Sequence, residues 1–200
     1  MSKETKELVV NIKQADAGPV GWIAYSIATW IAWAALCGFV TSKAYLLMGI
    51  ISLSCSIPYF VAAFSQLKLG NVAGGCTWTY FGAFFAFNSA LTYIVTYFAP
   101  IYGWQLDYRI LGYVWFLLAL VLIFTTPIFL KYAPASASIS VIAADVGLIT
   151  LALIYWNVGW LAKICGWSFF VAGIFGLIMS IGGILEGAGM KFPMGKPLMK

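Results

Sequence analysis

The residues of this chain that could do chemistry are few, and most of them carry no charge. Residues 70–85 read GNVAGGCTWTYFGAFF, which places Asn71, Thr77 and Tyr80 among glycines at the start of a long apolar run. Amide and hydroxyl groups donate and accept hydrogen bonds without supplying a permanent charge. In an apolar helix, such groups either serve helix packing or line a path for a small polar solute.

Asp145 is the one acidic residue well inside an apolar run, SVIAADVGLITLALIYW. A carboxyl group at membrane depth faces a water-filled cavity, pairs with a polar neighbour or carries a proton. Two interpretations therefore stay open for Asp145. It is either a group that gains and loses protons during function, or one half of a structural hydrogen bond between helices.

The sequence contains no enzyme signature. It has no histidine, no C-x-x-C pair, no G-x-S-x-G and no phosphate-binding loop. Its four cysteines lie inside or at the edge of apolar runs, without the nitrogen ligands that zinc and haem sites usually include. We therefore predict a protein that is not an enzyme, with no catalytic residue, no metal site and no cofactor.

The composition indicates an integral membrane protein. Of the 200 residues, 63% are hydrophobic and only 8% are charged, whereas a soluble domain carries about a quarter charged residues. The net charge of +5 comes from basic residues scattered singly along the chain. Nucleic-acid binding needs basic clusters, so the partners we predict are the lipid bilayer and a small solute, and not nucleic acid.

Six apolar runs are long enough to cross a bilayer as helices, which takes about 20 residues each. The predicted fold is an all-α membrane protein with six transmembrane helices. Nearly all charges fall at the breaks between the runs, as expected when a charge within the membrane is costly. The predicted spans are 20–42, 44–67, 71–98, 108–130, 136–161 and 163–186.

The distribution of Lys and Arg predicts the orientation. The side with both tails carries eight lysines, against three basic residues on the other side. We therefore expect a cytoplasmic N-terminal tail at 1–19, a transmembrane domain at 20–187 and a cytoplasmic C-terminal tail at 188–200. The expected location is the plasma or inner membrane, as a multi-pass protein.

Two helices carry patterned faces. Asn71 is placed to cap the third helix, whose partly positive N-terminus suits an anion if a cavity reaches it. A polar and aromatic face follows, at steps of four, three and four: Thr77, Phe81, Phe84 and Asn88. Small residues recur along the sixth helix, where they predict close helix packing: Gly173, Gly176, Ser180, Gly183 and Gly187.

The stretch GNVAGGCTWTYFGAFF resembles the third-helix signature of the acetate uptake transporter family, also called the succinate–acetate permeases. That signature runs approximately G-N-T-F-G-x-T-A-F-x-S-Y-G-x-F-W. The family's second mark, N-P-A-P-L-G-L before the first helix, is matched by DAGPVGW at 16–22, which keeps the second Pro and the first Gly. Length, six spans, short loops and cytoplasmic termini also agree with the family.

The resemblance implies movement of short monocarboxylates, acetate above all, through a pore in each subunit of a homo-hexamer. The family's constriction is formed by a Phe, a Tyr and a Leu, which fall here at Tyr25, at Phe81 and near Ala144. Its helix-two Gln falls at Tyr59, and its Glu before the G-N falls at Gln66. The residues assigned to the solute path are Tyr25, Thr29, Tyr59, Asn71, Thr77, Tyr80, Phe81, Ala144 and Asp145.

The predicted function is transport of acetate and similar short monocarboxylates, either proton-linked or as the neutral acid. The alternative is a passive channel for anions or for small neutral solutes, including ammonia or water. A third class is a sensor or scaffold that transports nothing. The sequence leaves the direction of transport and the choice between acetate and longer acids open.

Overall fold

A computed structural model of the chain describes residues 15–199, which form a bundle of helices without a strand in that range. Six of the helices are long and apolar enough to cross a membrane, so the chain is a multi-pass membrane protein, as predicted. Most of the predicted N-terminal tail, residues 1–14, lies outside the described part. The helices are α1 (Gly18–Leu36), α2 (Tyr45–Lys68), α3 (Val72–Tyr102), α4 (Arg109–Tyr132), α5 (Ala135–Tyr155) and α6 (Ala162–Gly187).

The helix ends differ from the predicted spans where the backbone adopts a left-handed conformation. The first span ends at Leu36 instead of residue 42, because Gly38 follows with φ 77°. The fifth ends at Tyr155 instead of residue 161, because Asn157 has φ 71°. A left-handed residue stops a right-handed helix even where the sequence stays apolar, so hydropathy alone overestimates both spans.

The middle of α3 is wound as a π-helix over Phe81–Asn88. A π-helix has more residues per turn than an α-helix. The face predicted with α-helical spacing, from Thr77 to Asn88, is therefore wrong at Phe84. Phe81 and Phe85 both face the interior, each 4% exposed, whereas Phe84 is 43% exposed on the outside. The wider turn therefore presents two phenylalanine rings, four residues apart, to the centre of the bundle.

Helix α6 packs closely against α1 through small residues. The Ser26 hydroxyl donates to the Gly173 carbonyl at 2.9 Å, and the Ser180 hydroxyl donates to the Pro19 carbonyl at 2.8 Å. A side chain on Gly173 or Gly183 would collide with α1. The predicted packing role is confirmed for these positions and for Gly176, whereas Gly187 faces open space.

We expect Gly173→Ala to lower the thermal stability of the detergent-solubilised protein. A Cβ at this position would lie 2.6 Å from Thr29 Oγ1 and closer still to the Trp30 ring. Overpacking of this kind costs about 1–3 kcal/mol, more than the helix propensity gained by replacing glycine. Gly187→Ala, at the open end of the same helix, is the control and should melt like the wild type. Equal melting temperatures for the two variants would contradict the close contact.

Candidate functional site

Two cavities are lined from opposite ends of the helices. The first, of about 340 Å³, is lined by the starts of α1, α3 and α5 and the ends of α2, α4 and α6. We call it the terminal-side cavity, because the start of α1 and the end of α6 are the helix ends nearest the two chain termini. The second, of about 230 Å³, is lined from the opposite ends of the helices, and we call it the distal cavity.

Packed aromatic rings separate the two cavities. Tyr25 and Phe81 line the terminal-side cavity, and Phe85 lines the distal one. The ring centroids of Tyr25 and Phe81 lie 5.5 Å apart, as do those of Phe81 and Phe85, and Tyr25 and Phe85 are 6.3 Å apart. Such distances are those of rings in direct contact. We call these three residues the aromatic barrier.

Two tyrosine hydroxyls at the barrier are poorly satisfied by the protein. Tyr59 is fully buried and its ring stacks on Phe81 at 6.3 Å, but its hydroxyl has no hydrogen-bond partner within residues 15–199. The Tyr25 hydroxyl reaches only the Ser140 carbonyl, at 3.5 Å. A buried polar group without a partner costs free energy. Tyr25 in the barrier and Tyr59 packed against it therefore carry hydroxyls with hydrogen-bonding capacity to spare, although Tyr59 lines neither cavity.

A chain of hydrogen bonds crosses the mouth of the terminal-side cavity. The Asp16 carboxylate accepts from the Gly18 amide at 2.7 Å and from Gln66 Nε2. Asn71 Nδ2 donates to Gln66 Oε1 at 2.6 Å, and Asn71 Oδ1 accepts from the Gly74 amide at 3.0 Å. The predicted N-cap at Asn71 is thus present. Because the cap takes one of the free amides and Asp16 lies nearby, this helix end offers less to an anion than the sequence suggests.

The walls of both cavities lack a positive charge. The only charged side chains that line the terminal-side cavity are the carboxylates Asp16 and Glu186, among the described residues. No described charged residue lines the distal cavity. An ion that enters a low-dielectric passage loses hydration, and only opposite charge or well-placed dipoles replace it. These walls therefore favour a neutral solute over a free anion.

Asp145 lines neither cavity and lies between α4 and α5. Its Oδ2 is 2.6 Å from the Thr126 hydroxyl, and its Oδ1 has no partner within the described chain. The Thr126 hydroxyl is the donor to Asp145 Oδ2, and it also reaches the Leu122 carbonyl at 2.9 Å. Two acceptors thus share one hydroxyl proton, as is common for Ser and Thr inside a helix.

The other residues assigned to the path divide into two groups. Asn71, Thr77 and Ala144 line the terminal-side cavity together with Tyr25 and Phe81. Thr29 and Tyr80 line neither cavity, and the Thr29 hydroxyl bonds back to the Tyr25 carbonyl at 2.9 Å. Leu148, one helical turn after Ala144, is fully buried in the core.

Some residues of the site were not assigned from the sequence. Phe85 was missed because it was read as part of the stripe beside the polar face, whereas the π-helix turns Phe84 outward and leaves Phe85 on the same side as Phe81. Met194 was missed because it belongs to the predicted tail. Its carbonyl accepts from the Ser136 amide at 3.0 Å and from the Ser136 hydroxyl at 2.9 Å, and its side chain lines the terminal-side cavity. In the sequence, only the apolar triplet at 192–194 indicates that this segment packs against the bundle.

Comparison with known proteins supports the fold. No protein-family model and no curated protein matches the chain. A solved structure of the bacterial acetate channel SatP is similar, with a TM-score of 0.72 and 21% sequence identity over 90% of this chain and 97% of that one. At this level of identity the similarity concerns the fold, and it confirms the six-helix membrane fold that the sequence predicts.

We expect Tyr59→Phe to melt at the same temperature as the wild type or a few degrees higher. The substitution removes a buried hydroxyl without a partner, which relieves about 1–3 kcal/mol of desolvation cost. Thr126→Val is the matched comparison, because it removes a hydroxyl that bonds Asp145, and it should lower the melting temperature. A loss for Tyr59→Phe as large as that for Thr126→Val would mean that the Tyr59 hydroxyl is structurally satisfied.

Proposed function

We propose that this protein moves acetate and similar short monocarboxylates across the plasma or inner membrane. The observation that carries the proposal is the pair of cavities that approach each other from opposite sides and meet at an uncharged aromatic barrier. In this proposal, movement of the three rings of the aromatic barrier would join the two cavities. The third-helix motif and the fold shared with an acetate channel support the choice of solute.

The solute crosses the barrier as the neutral acid, or together with a proton. Within residues 15–199, neither cavity is lined by a cation that could replace the hydration of a carboxylate, and the terminal-side mouth carries Asp16 and Glu186. A carboxylic acid has one donor and one acceptor, which hydroxyl groups can match. The hydroxyls of Tyr25 and Tyr59 are the groups available at the barrier.

Asp145 is the group we assign to proton exchange. It follows Ala144, which lines the terminal-side cavity, so it lies next to the proposed path although it lines neither cavity itself. The Thr126 hydroxyl donates to Asp145 Oδ2, and Oδ1 has no partner within the described residues, which leaves one oxygen where a proton could be held. A change in the protonation of Asp145 would change its hydrogen bond to Thr126, which couples protonation to the packing of α4 on α5.

A passive channel for small neutral solutes, such as ammonia or water, is the second candidate. The uncharged distal cavity favours this candidate over a passive anion channel. Solute flux distinguishes the two functions in vesicles, because a carrier saturates and follows the proton gradient whereas a channel gives flux linear in concentration. The cytoplasmic placement of both termini and the homo-hexamer implied by the family resemblance belong to the same proposal.

We expect Phe81→Ala to change labelled-acetate flux into proteoliposomes by on the order of tenfold, the effect of about 1.4 kcal/mol on a barrier. Removing the ring widens the barrier and should also weaken discrimination against larger acids. Phe84→Ala is the control, because Phe84 lies on the same π-helical segment but faces outward. Phe81→Leu covers the case in which the alanine variant does not fold. Indifference of flux to both substitutions at residue 81 would refute the proposed path.

We expect Asp145→Asn to flatten the pH dependence of acetate uptake between acidic and neutral pH, because an amide of the same shape cannot exchange the proton. Asp107→Asn is the control. In the loop before α4, hydrogen bonds from Arg109 hold the pKa of Asp107 at about 2, so that carboxyl does not titrate in the assay range. An Asp145→Asn profile that follows the wild type would leave Asp145 with a packing role only.

A further inference from the structure

The distal cavity contains a cluster of hydroxyl groups that the path described above does not use. Tyr45 at the start of α2, Tyr93 in α3 and Tyr155 at the end of α5 all line it. The rings of Tyr45 and Tyr93 lie 5.6 Å apart between centroids. Three hydroxyl-bearing side chains from three helices therefore meet in one place, which we call the tyrosine cup.

The hydroxyls of the cup are free to bind a ligand. Within residues 15–199, the one tyrosine hydroxyl with a protein hydrogen-bond partner is that of Tyr25, which lies outside this cavity. A phenolic hydroxyl can donate one hydrogen bond and accept another. The cup thus presents several donors and acceptors but no charge, a combination that matches a protonated carboxyl group better than an ionised one.

Beyond the tyrosines, the cavity wall is mostly apolar and suits a hydrocarbon chain, with Ser52, Ser89 and Thr92 as its other hydroxyl-bearing residues. Trp115 and Phe169, 3% and 1% exposed, line the cavity together with Leu151. The volume of about 230 Å³ far exceeds the ~10–15 Å³ that one water needs on the same measure. Acetic acid would leave most of this apolar wall without contact, whereas a longer alkyl chain would cover it.

We propose that the tyrosine cup is a selection site for short-chain monocarboxylic acids longer than acetic acid, with butanoic acid as the reference ligand. The carboxyl group binds the hydroxyls of Tyr45, Tyr93 and Tyr155, and the alkyl chain packs on Trp115 and Phe169. This inference rests on the proposed transport function, because it names the acids that the path accepts. Binding of the acid to the cup does not itself require transport.

The test uses the full chain in detergent and in proteoliposomes, at acidic pH, with acetate, propanoate and butanoate as probes. In the wild type, butanoate should raise the melting temperature more than acetate does and should have the lowest half-saturating concentration for uptake. Tyr93→Phe removes one hydroxyl and keeps the ring. It should raise the half-saturating concentration for butanoate about fivefold, the effect of one hydrogen bond, and Tyr45→Phe with Tyr93→Phe should raise it further.

Tyr97→Phe is the matched control, because Tyr97 lies one turn after Tyr93 on the same helix and lines neither cavity. Its ligand-induced melting shift and its uptake should equal those of the wild type.

If the wild type takes up acetate but the cup variants bind and transport butanoate unchanged, the inference is overturned and the proposed function stands. If the wild type transports no acid yet shows a butanoate-induced shift that the cup variants lose, the site stands and the transport function falls. No butanoate-induced shift in the wild type, or a preference for acetate, overturns the inference.

Discussion

The contact between Tyr25 and Phe81 is the interaction on which the passage depends, because it closes the space between the two cavities. One ring is supported by a glycine of a neighbouring helix, and the other lies at an unusual turn of its own helix. A Cβ on Gly176 would lie 2.8 Å from the Tyr25 ring, so the absence of a side chain there lets α6 support this ring closely. Phe81 begins the π-helical segment that also turns Phe85 inward. The barrier is therefore a product of glycine packing on one side and of a wider helical turn on the other.

The charge distribution constrains what can use this passage. The barrier and the distal cavity carry no charge among their described residues, and the terminal-side mouth carries only carboxylates. High flux needs a solute that loses little hydration and is not held tightly. The hydroxyl groups of Tyr59 and of the tyrosine cup have no protein partner within residues 15–199. They would bind the proposed solute through neutral hydrogen bonds, which are weaker than an ion pair.

Features that depend on local chemistry could be predicted from the sequence. Six apolar runs, the cap at Asn71 and the small residues of α6 each follow from side chains and their spacing, and each is present. Features that depend on backbone geometry or on distant contacts could not. The π-helix changes which phenylalanine faces inward without any change in composition. Likewise, Met194 is placed at the cavity by hydrogen bonds to Ser136, which lies far away in sequence. Asp145 could be recognised as unusual from its own position in an apolar run. Its partner Thr126 could not be predicted, because it lies on another helix.

The two ends of the passage differ in a way that bears on the proposed proton linkage. At the terminal-side mouth, Asp16 is fixed by Gln66 and the Gly18 amide, and Met194 of the C-terminal segment occupies part of the wall. Among the described residues, the distal end carries hydroxyl groups but no charge. An acid on the proposed path keeps its proton through the cup and the barrier, since neither offers a charge to stabilise the anion. On the terminal side the carboxylates of Asp16 and Glu186 oppose a third negative charge, so the proposed solute stays neutral there until it reaches bulk water. The direction of net movement then follows the concentration gradient of the acid, because an asymmetric passage cannot by itself drive transport one way.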